Sequence, residues 1–115
     1  MNDKLTNSKK LNSLLPEIEK RIREAFGERV LKIILFGSYA RGDFHKESDV
    51  DIFVLINDKD LKKYRKVRVK IITEFLESYD ILLSIRIIYN GIFNRYKNVL
   101  PFYQNVIQEG ISLYG

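Results

Sequence analysis

Residues 33–56 read Ile-Ile-Leu-Phe-Gly-Ser-Tyr-Ala-Arg-Gly-Asp-Phe-His-Lys-Glu-Ser-Asp-Val-Asp-Ile-Phe-Val-Leu-Ile. An apolar run ends at Gly37-Ser38, a polar loop follows, and a second apolar run carries Asp49 and Asp51 near its start. Short apolar runs that are bounded by glycine and polar residues are typical of buried β-strands. The stretch therefore predicts two strands of one sheet, joined by a polar loop.

The two aspartates of the second strand are separated by one residue. Because side chains alternate along a strand, Asp49 and Asp51 should share one side, with their Cα atoms about 6.5–7 Å apart. The opposite face is then apolar, with Val50, Ile52, Val54 and Ile56. Unpaired carboxylates are costly to bury, and paired carboxylates with phosphate oxygens suit Mg²⁺. The pair therefore predicts a divalent metal site.

Gly37-Ser38 directly follows the first strand. We expect Ser38 to cap a short helix that begins at Tyr39. The free N–H groups at a helix start bind phosphate, and glycine lets the backbone approach a ligand closely. An anion site beside an acid pair suits a nucleoside triphosphate with Mg²⁺.

The pattern Gly37-Ser38, ten residues, then Asp49-x-Asp51 resembles the signature of the DNA polymerase β-like nucleotidyltransferase superfamily. Ala40-Arg41-Gly42 and Ser48-Asp49 resemble its minimal branch, the MNT proteins. We expect an α/β fold, with a small mixed sheet of three to four strands flanked by helices. The alternative is two unrelated features, a turn and an edge strand with a solvated acidic face.

The resemblance implies nucleotidyl transfer, in which an acceptor hydroxyl attacks the α-phosphate of a nucleoside triphosphate. Asp49 and Asp51 would be the catalytic and metal-binding residues, and Gly37 and Ser38 would bind the β- and γ-phosphates. Minimal proteins of this kind are typically antitoxins that transfer AMP from ATP, with Mg²⁺, to a HEPN-type ribonuclease toxin encoded nearby. The implied partners are thus a toxin protein and ATP.

The family usually supplies a third carboxylate from the third strand. The corresponding stretch here, Ile81–Tyr89, contains no acid. Asp80 lies at its start as a weak substitute, and Glu74 and Glu77 are expected on the polar side of the preceding helix. Two alternatives therefore stay open: an antitoxin that neutralises its toxin by binding alone, and a transferase that acts on a small molecule.

Composition sets outer bounds on the chain. Its 115 residues predict a single domain, 1–115, and the absence of cysteine excludes disulfides. The apolar runs are too short to span a bilayer, so we expect a cytoplasmic protein. A net charge of +5 is compatible with nucleic acid, an acidic partner or a nucleotide, and selects none of them.

Periodicity and breaker residues predict the remaining elements. Residues 1–12 are polar and are expected to form a flexible or short helical lead-in. A packing helix is predicted from an N-cap at Ser13 to Phe26, with Pro16 in its first turn and Gly27 ending it. The other predicted elements are strand Val30–Phe36, a helix capped by Asn57-Asp58 that runs to Tyr79, strand Ile81–Tyr89, a turn at Asn90-Gly91, a short helix or turn at Ile92–Asn98, a helix from Pro101 to Gly110, and an edge strand Ile111–Tyr114.

Charged residues outside the motif are assigned mainly to solvent. The lysines within 59–70 fall on one helical face, and nucleic-acid binding is disfavoured because exposed aromatic residues are not interleaved with them. His45 is expected to be a solvated loop residue. Arg41 is expected to pair with Asp43 or a motif aspartate, and a contact with phosphate is the alternative. Arg68 falls in the apolar stripe, where it either extends to solvent or reaches a carboxylate or phosphate at the site.

Overall fold

The computed structural model describes residues 3–45 and 47–115, with side chains from Lys9 onward. Helices and strands alternate along most of the chain. In order they are α1 (Asp3–Phe26), β1 (Val30–Phe36), α2 (Gly37–Arg41), β2 (Val50–Ile56), a 3₁₀ turn (Leu61–Tyr64), α3 (Arg65–Tyr79), β3 (Leu83–Tyr89), α4 (Asn90–Tyr96), α5 (Pro101–Glu109) and β4 (Ile111–Tyr114).

The four strands form one mixed sheet in the order β3-β2-β1-β4. Strand β1 is antiparallel to both β2 and β4, whereas β2 and β3 are parallel. Parallel neighbours need a crossover connection, which α3 supplies. The predicted mixed sheet flanked by helices is confirmed, as is the edge position of β4.

Strand alternation divides the apolar residues of β2 between the two faces of the sheet. Val50, Ile52, Val54 and Ile56 pack with buried residues of α1 and α3, such as Ile22 and Ile71. On the other face, Phe53 and Leu55 pack against α4 and α5. The predicted apolar face is confirmed, and Asp51 lies on the side of α4 and α5.

Helix α1 begins earlier than the sequence predicts. It includes Asp3 onward, so the expectation of an N-cap at Ser13 is wrong, and residues 3–12 adopt the helical alternative given for the lead-in. Leu11 is buried in the same core as Ile18 and Ile22, which extends the apolar stripe toward the N-terminus. The Ser13 hydroxyl donates to the Lys10 carbonyl instead of capping the helix. Residues 1 and 2 lie outside the described residues.

Two other boundaries differ from the prediction. Strand β3 begins at Leu83 rather than Ile81, and Asn90 and Gly91 open helix α4 rather than forming a separate turn. Asp58 does not cap α3; its carboxylate accepts a hydrogen bond from the backbone N–H of Asp60, and a 3₁₀ turn precedes the helix.

Among the helices that the structure describes, none is long and apolar enough to cross a membrane.

Candidate functional site

Asp51 lies between two neighbouring strands. Its β1 partner is Phe36, the residue before Gly37, and its β3 partner is Ser84. The side chain is half-buried, whereas Asp49, one residue before β2, is exposed. The topology therefore brings the glycine turn, the two aspartates and the start of β3 to the same end of the sheet.

The environment of Asp51 disfavours its negative charge. Burial raises the pKa of the Asp51 carboxyl, and the negative charge of Asp49 raises it further. The positive charges of Arg86 and Arg41, and the Ser84 hydroxyl as a hydrogen-bond donor, oppose this effect without cancelling it. A bound cation between the aspartates would remove the repulsion, so the pair fits a divalent metal together with phosphate oxygens.

Gly37 allows its backbone to approach the acid pair closely. Its φ is +75°, a left-handed conformation that favours glycine. A Cβ at this position would collide with Oδ2 of Asp51. The glycine is therefore required both by the backbone conformation and by the space that the Asp51 carboxylate occupies.

Ser38 does not cap the helix that follows. Helix α2 begins at Gly37, its N-cap is Phe36, and no side chain caps it, so this prediction is wrong. Because Gly37 already takes part in the helix, Ser38 falls within the first turn. The first N–H groups of a helix have no partner inside the helix, so those of α2 are available to a ligand.

An open cleft of about 480 Å³ covers this end of the sheet. It contains Ser38 and both motif aspartates together with the polar loop between α2 and β2. Its lining residues are Ser38, Arg41, Asp43, His45, Glu47, Ser48, Asp49 and Asp51. Its polar lining suits a charged ligand better than an apolar one.

Arg41 pairs with acids beside the cleft, as predicted. Its guanidinium lies 3.2 Å from the Asp43 carboxylate and 3.6 Å from that of Glu109, which ties α2 to α5. These hydrogen bonds and charges raise the pKa of Arg41. His45 is exposed in the loop, as predicted for a solvated histidine.

A third carboxylate does not join the pair. In residues 3–45 and 47–115, no cluster of three or more acids, histidines or cysteines could hold a metal. Asp80 ends α3 in a left-handed conformation and lines a cavity of about 640 Å³ that shares Glu47 and Ser48 with the cleft but includes neither motif aspartate, so its role as a substitute stays a prediction. Glu74 forms a bidentate pair with Arg21.

Sequence reasoning missed Ser84 and Arg86 as site residues. Both belong to the predicted third strand, in which only a carboxylate was sought. The parallel register places Ser84 beside Asp51 and Arg86 beside Phe53, on the side of the sheet that carries the aspartates. The signal that could have found them is their alternation in β3, but its register with β2 depends on the tertiary fold.

The basic residues between Lys59 and Lys70 lie away from the pair. Lys59, Lys62, Lys63, Lys66 and Lys70 are exposed, as predicted for a solvated face. Arg68 is half-buried beside Leu61, Arg65 and Ile87. Since α3 packs on the face of the sheet opposite Asp51, the hypothesis that Arg68 reaches the site is wrong.

Comparison with known families identifies the domain. The family model described as nucleotidyltransferase domain matches residues 15–112. The chain belongs to the nucleotidyltransferase domain family. This confirms the resemblance expected from the Gly-Ser and Asp-x-Asp pattern.

Relatives of this nucleotidyltransferase occur in Methanocaldococcus jannaschii. One that is named protein adenylyltransferase is 34% identical over 100 residues, which cover 87% of this chain and 94% of the relative. Another of the same name is 40% identical over 71 residues, covering 62% of this chain and 72% of the relative.

Solved structures share the nucleotidyltransferase fold. A crystal structure of the MntA-HpeT toxin-antitoxin superposes with a TM-score of 0.63 at 23% identity, covering 88% of this chain and 73% of the other. A toxin-antitoxin structure with AMP-PNP gives a TM-score of 0.59 at 25% identity, with the same coverage.

Proposed function

We propose that this nucleotidyltransferase is an antitoxin that transfers AMP from ATP to a HEPN-type ribonuclease toxin. The observation that carries the proposal is the half-buried Asp51, which lies beside Asp49 and against the backbone of Gly37. The names of the adenylyltransferase relatives and the toxin-antitoxin neighbours support the reaction and the partner class. Residues 1–115 would form the single catalytic domain.

In this reaction the protein mainly orients the reactants and stabilises negative charge. A toxin hydroxyl oxygen attacks the α-phosphorus, the bond to the β-phosphate oxygen breaks, and pyrophosphate leaves with the electron pair while the hydroxyl proton passes to water. Gly37 and Ser38 would bind the β- and γ-phosphates through backbone N–H groups. Such transfers depend on orientation and electrostatic stabilisation rather than on covalent participation of the protein.

Asp49 and Asp51 are the residues that would hold Mg²⁺. When bound, the ion neutralises phosphate charge and polarises the α-phosphate for attack. Two carboxylates with substrate phosphates are a sufficient protein contribution, because Mg²⁺ retains several waters. The two aspartates would act as catalytic residues by fixing this charge next to the reacting phosphate.

The direct test is the intact mass of the toxin encoded beside this chain after incubation with the chain, ATP and Mg²⁺. We expect the toxin to gain one or more AMP units. Asp49→Asn and Asp51→Asn should abolish the gain. Asp60→Asn is the matched control, since this exposed acid lies past the opposite end of β2 and does not line the cleft.

Within the described part of the chain, no third acid, histidine or cysteine completes a metal-binding cluster, which favours a second candidate, an antitoxin that neutralises its toxin by binding alone. That function predicts no change in toxin mass although a stable complex forms. It also predicts that Asp49→Asn and Asp51→Asn still suppress the toxin's ribonuclease activity. The same incubation, followed by size-exclusion chromatography and a ribonuclease assay, separates the two functions.

A further inference from the structure

Strand β3 presents a hydroxyl and a cation to the site. Its parallel pairing with β2 aligns Ser84 with Asp51 and Arg86 with Phe53. Residues paired in this way lie on the same side of a sheet. The strand that borders the acid pair therefore carries positive charge on the side of Asp51.

Arg86 is held by an aromatic platform. Its guanidinium carbon lies 5.0 Å from the ring centroid of Phe102. Phe102 in turn packs against Phe36 and Phe53, with centroid distances of 5.6 and 6.2 Å. A guanidinium that rests on a ring is attracted by the ring face, and its N–H groups at the edge stay available.

Arg86 forms no ion pair within the described part of the chain. The ion pairs within 4.0 Å in the described part of the chain involve Lys20, Arg21, Arg23, Arg41 and Lys63. Arg86 is exposed and lies two residues after Ser84, on the side of the sheet that carries Asp51. It is therefore a cation placed at the acid pair and open to an anionic ligand.

The strand order gives Arg86 a defined position relative to a bound nucleotide. Gly37-Ser38 lies at the end of β1, on one side of Asp51, and Arg86 lies on β3, on the other side. The attacking and leaving oxygens of a phosphoryl transfer lie roughly in line. If pyrophosphate leaves on the side of Gly37-Ser38, the α-phosphate would lie next to Asp51. The acceptor hydroxyl would then approach the α-phosphate from the opposite side, where β3 lies.

We propose that Arg86 binds the α-phosphate of the nucleotide and takes the place of a second metal ion as a source of positive charge. The nucleotide-bound chain then holds one divalent cation. The proposal rests on the proposed function, because it takes the cleft to bind ATP. Arginine binds phosphate through paired N–H donors. A second divalent ion on the β3 side would have only the two aspartates as carboxylate ligands and would be repelled by Arg86.

The test measures binding of Mn²⁺ and a non-hydrolysable ATP analogue by electron paramagnetic resonance and calorimetry. We expect one Mn²⁺ per chain. Arg86→Ala should weaken binding of the analogue about tenfold, because a charged hydrogen-bonded pair is lost. The same fold-change is expected for AMP, whose only phosphate is the α-phosphate, and Arg86→Lys should restore part of the affinity.

The matched control is Arg95→Ala. Arg95 also lies over a ring, 5.5 Å from the centroid of Tyr96, but it belongs to α4, which follows the end of β3 that is far from Ser84. Its substitution should leave affinity for the analogue within twofold of the native value. The double variant Ser84→Asp/Arg86→Ala adds a carboxylate beside Asp51 and removes the cation, so it should take up a second Mn²⁺.

Two results would overturn this proposal but not the proposed function. One is two Mn²⁺ ions bound to the native chain, and the other is equal affinities of the Arg86→Ala and Arg95→Ala variants for the analogue. A native chain that binds neither Mn²⁺ nor the analogue would contradict the proposed function, and this proposal with it. The two failures are thus distinguished by whether the native chain binds nucleotide.

Discussion

The carboxylates at the two ends of strand β2 lie in opposite electrostatic environments. Just past its end, Asp58 is buried, with 7% of its surface exposed, and accepts hydrogen bonds from the Tyr64 hydroxyl and the Asp60 N–H. Lys63 forms an ion pair with the same carboxylate. Near the start of β2, Asp51 is half-buried next to a second acid.

The pKa values follow this difference. Lys63, Tyr64 and the Asp60 N–H hold the pKa of Asp58 well below its usual range. Burial, together with the hydrogen bond to Asp58, raises the pKa of the Tyr64 hydroxyl to about 12. Burial and the charge of Asp49 raise the pKa of Asp51. The carboxylate at one end of the strand thus has its partners within the folded chain, whereas we propose that the acid pair at the other end binds a cation.

The largest expected effect is on activity. Asp51→Asn should reduce AMP transfer to the toxin at least about a hundredfold, because a lost metal contact removes charge stabilisation at the transition state. Asp58→Asn, assayed at a temperature where it is folded, should keep most of the activity. Equal losses in the two variants, measured by initial rates of AMP transfer, would contradict the distinction.

Gly37→Ala should disturb the Asp51 end through the backbone. Its positive φ costs an L-residue about 1–2 kcal/mol, and the added Cβ also displaces the Asp51 carboxylate. We expect lower stability in urea and loss of nucleotide binding. Gly42→Ala is the control: its φ is similar, at +83°, but a Cβ there meets nothing within 4 Å. It should lower stability while nucleotide affinity remains.

At the other end, Asp58→Asn should lower the midpoint of thermal unfolding by several degrees at pH 7. A carboxyl with a depressed folded pKa stabilises the fold above its unfolded pKa of about 4 and loses this contribution as the pH falls. The difference between native chain and variant should therefore shrink below about pH 4. A difference that is constant from pH 7 to pH 3 would show that the carboxylate charge does not matter.

Local patterns predicted the strands well. Alternation along residues 50–56 placed the apolar face correctly, and the Gly-Ser turn marked the end of β1. Helix ends were predicted less well, because Leu11 joins the core only through tertiary packing. The contribution of Arg86 could not be predicted, since it depends on the pairing of β3 with β2 and on Phe102 from a distant helix.

The smallest effect is the stability of Asp51→Asn, and its sign is informative. A carboxyl with a raised folded pKa destabilises the fold once it is ionised and has no effect below its unfolded pKa of about 4. The variant should therefore unfold at a slightly higher temperature than the native chain at pH 7.5, and this gain should vanish near pH 3.5.

The central claim, that the Asp51 end requires a bound cation, is tested most directly by thermal unfolding at pH 7.5. The native chain and Asp51→Asn are compared with and without Mn²⁺ and a non-hydrolysable ATP analogue. We predict that the variant is more stable without ligand and less stable with it, because ligand binding stabilises only the chain that binds. A variant that is less stable without ligand, and that gains as much from ligand as the native chain, would contradict the account.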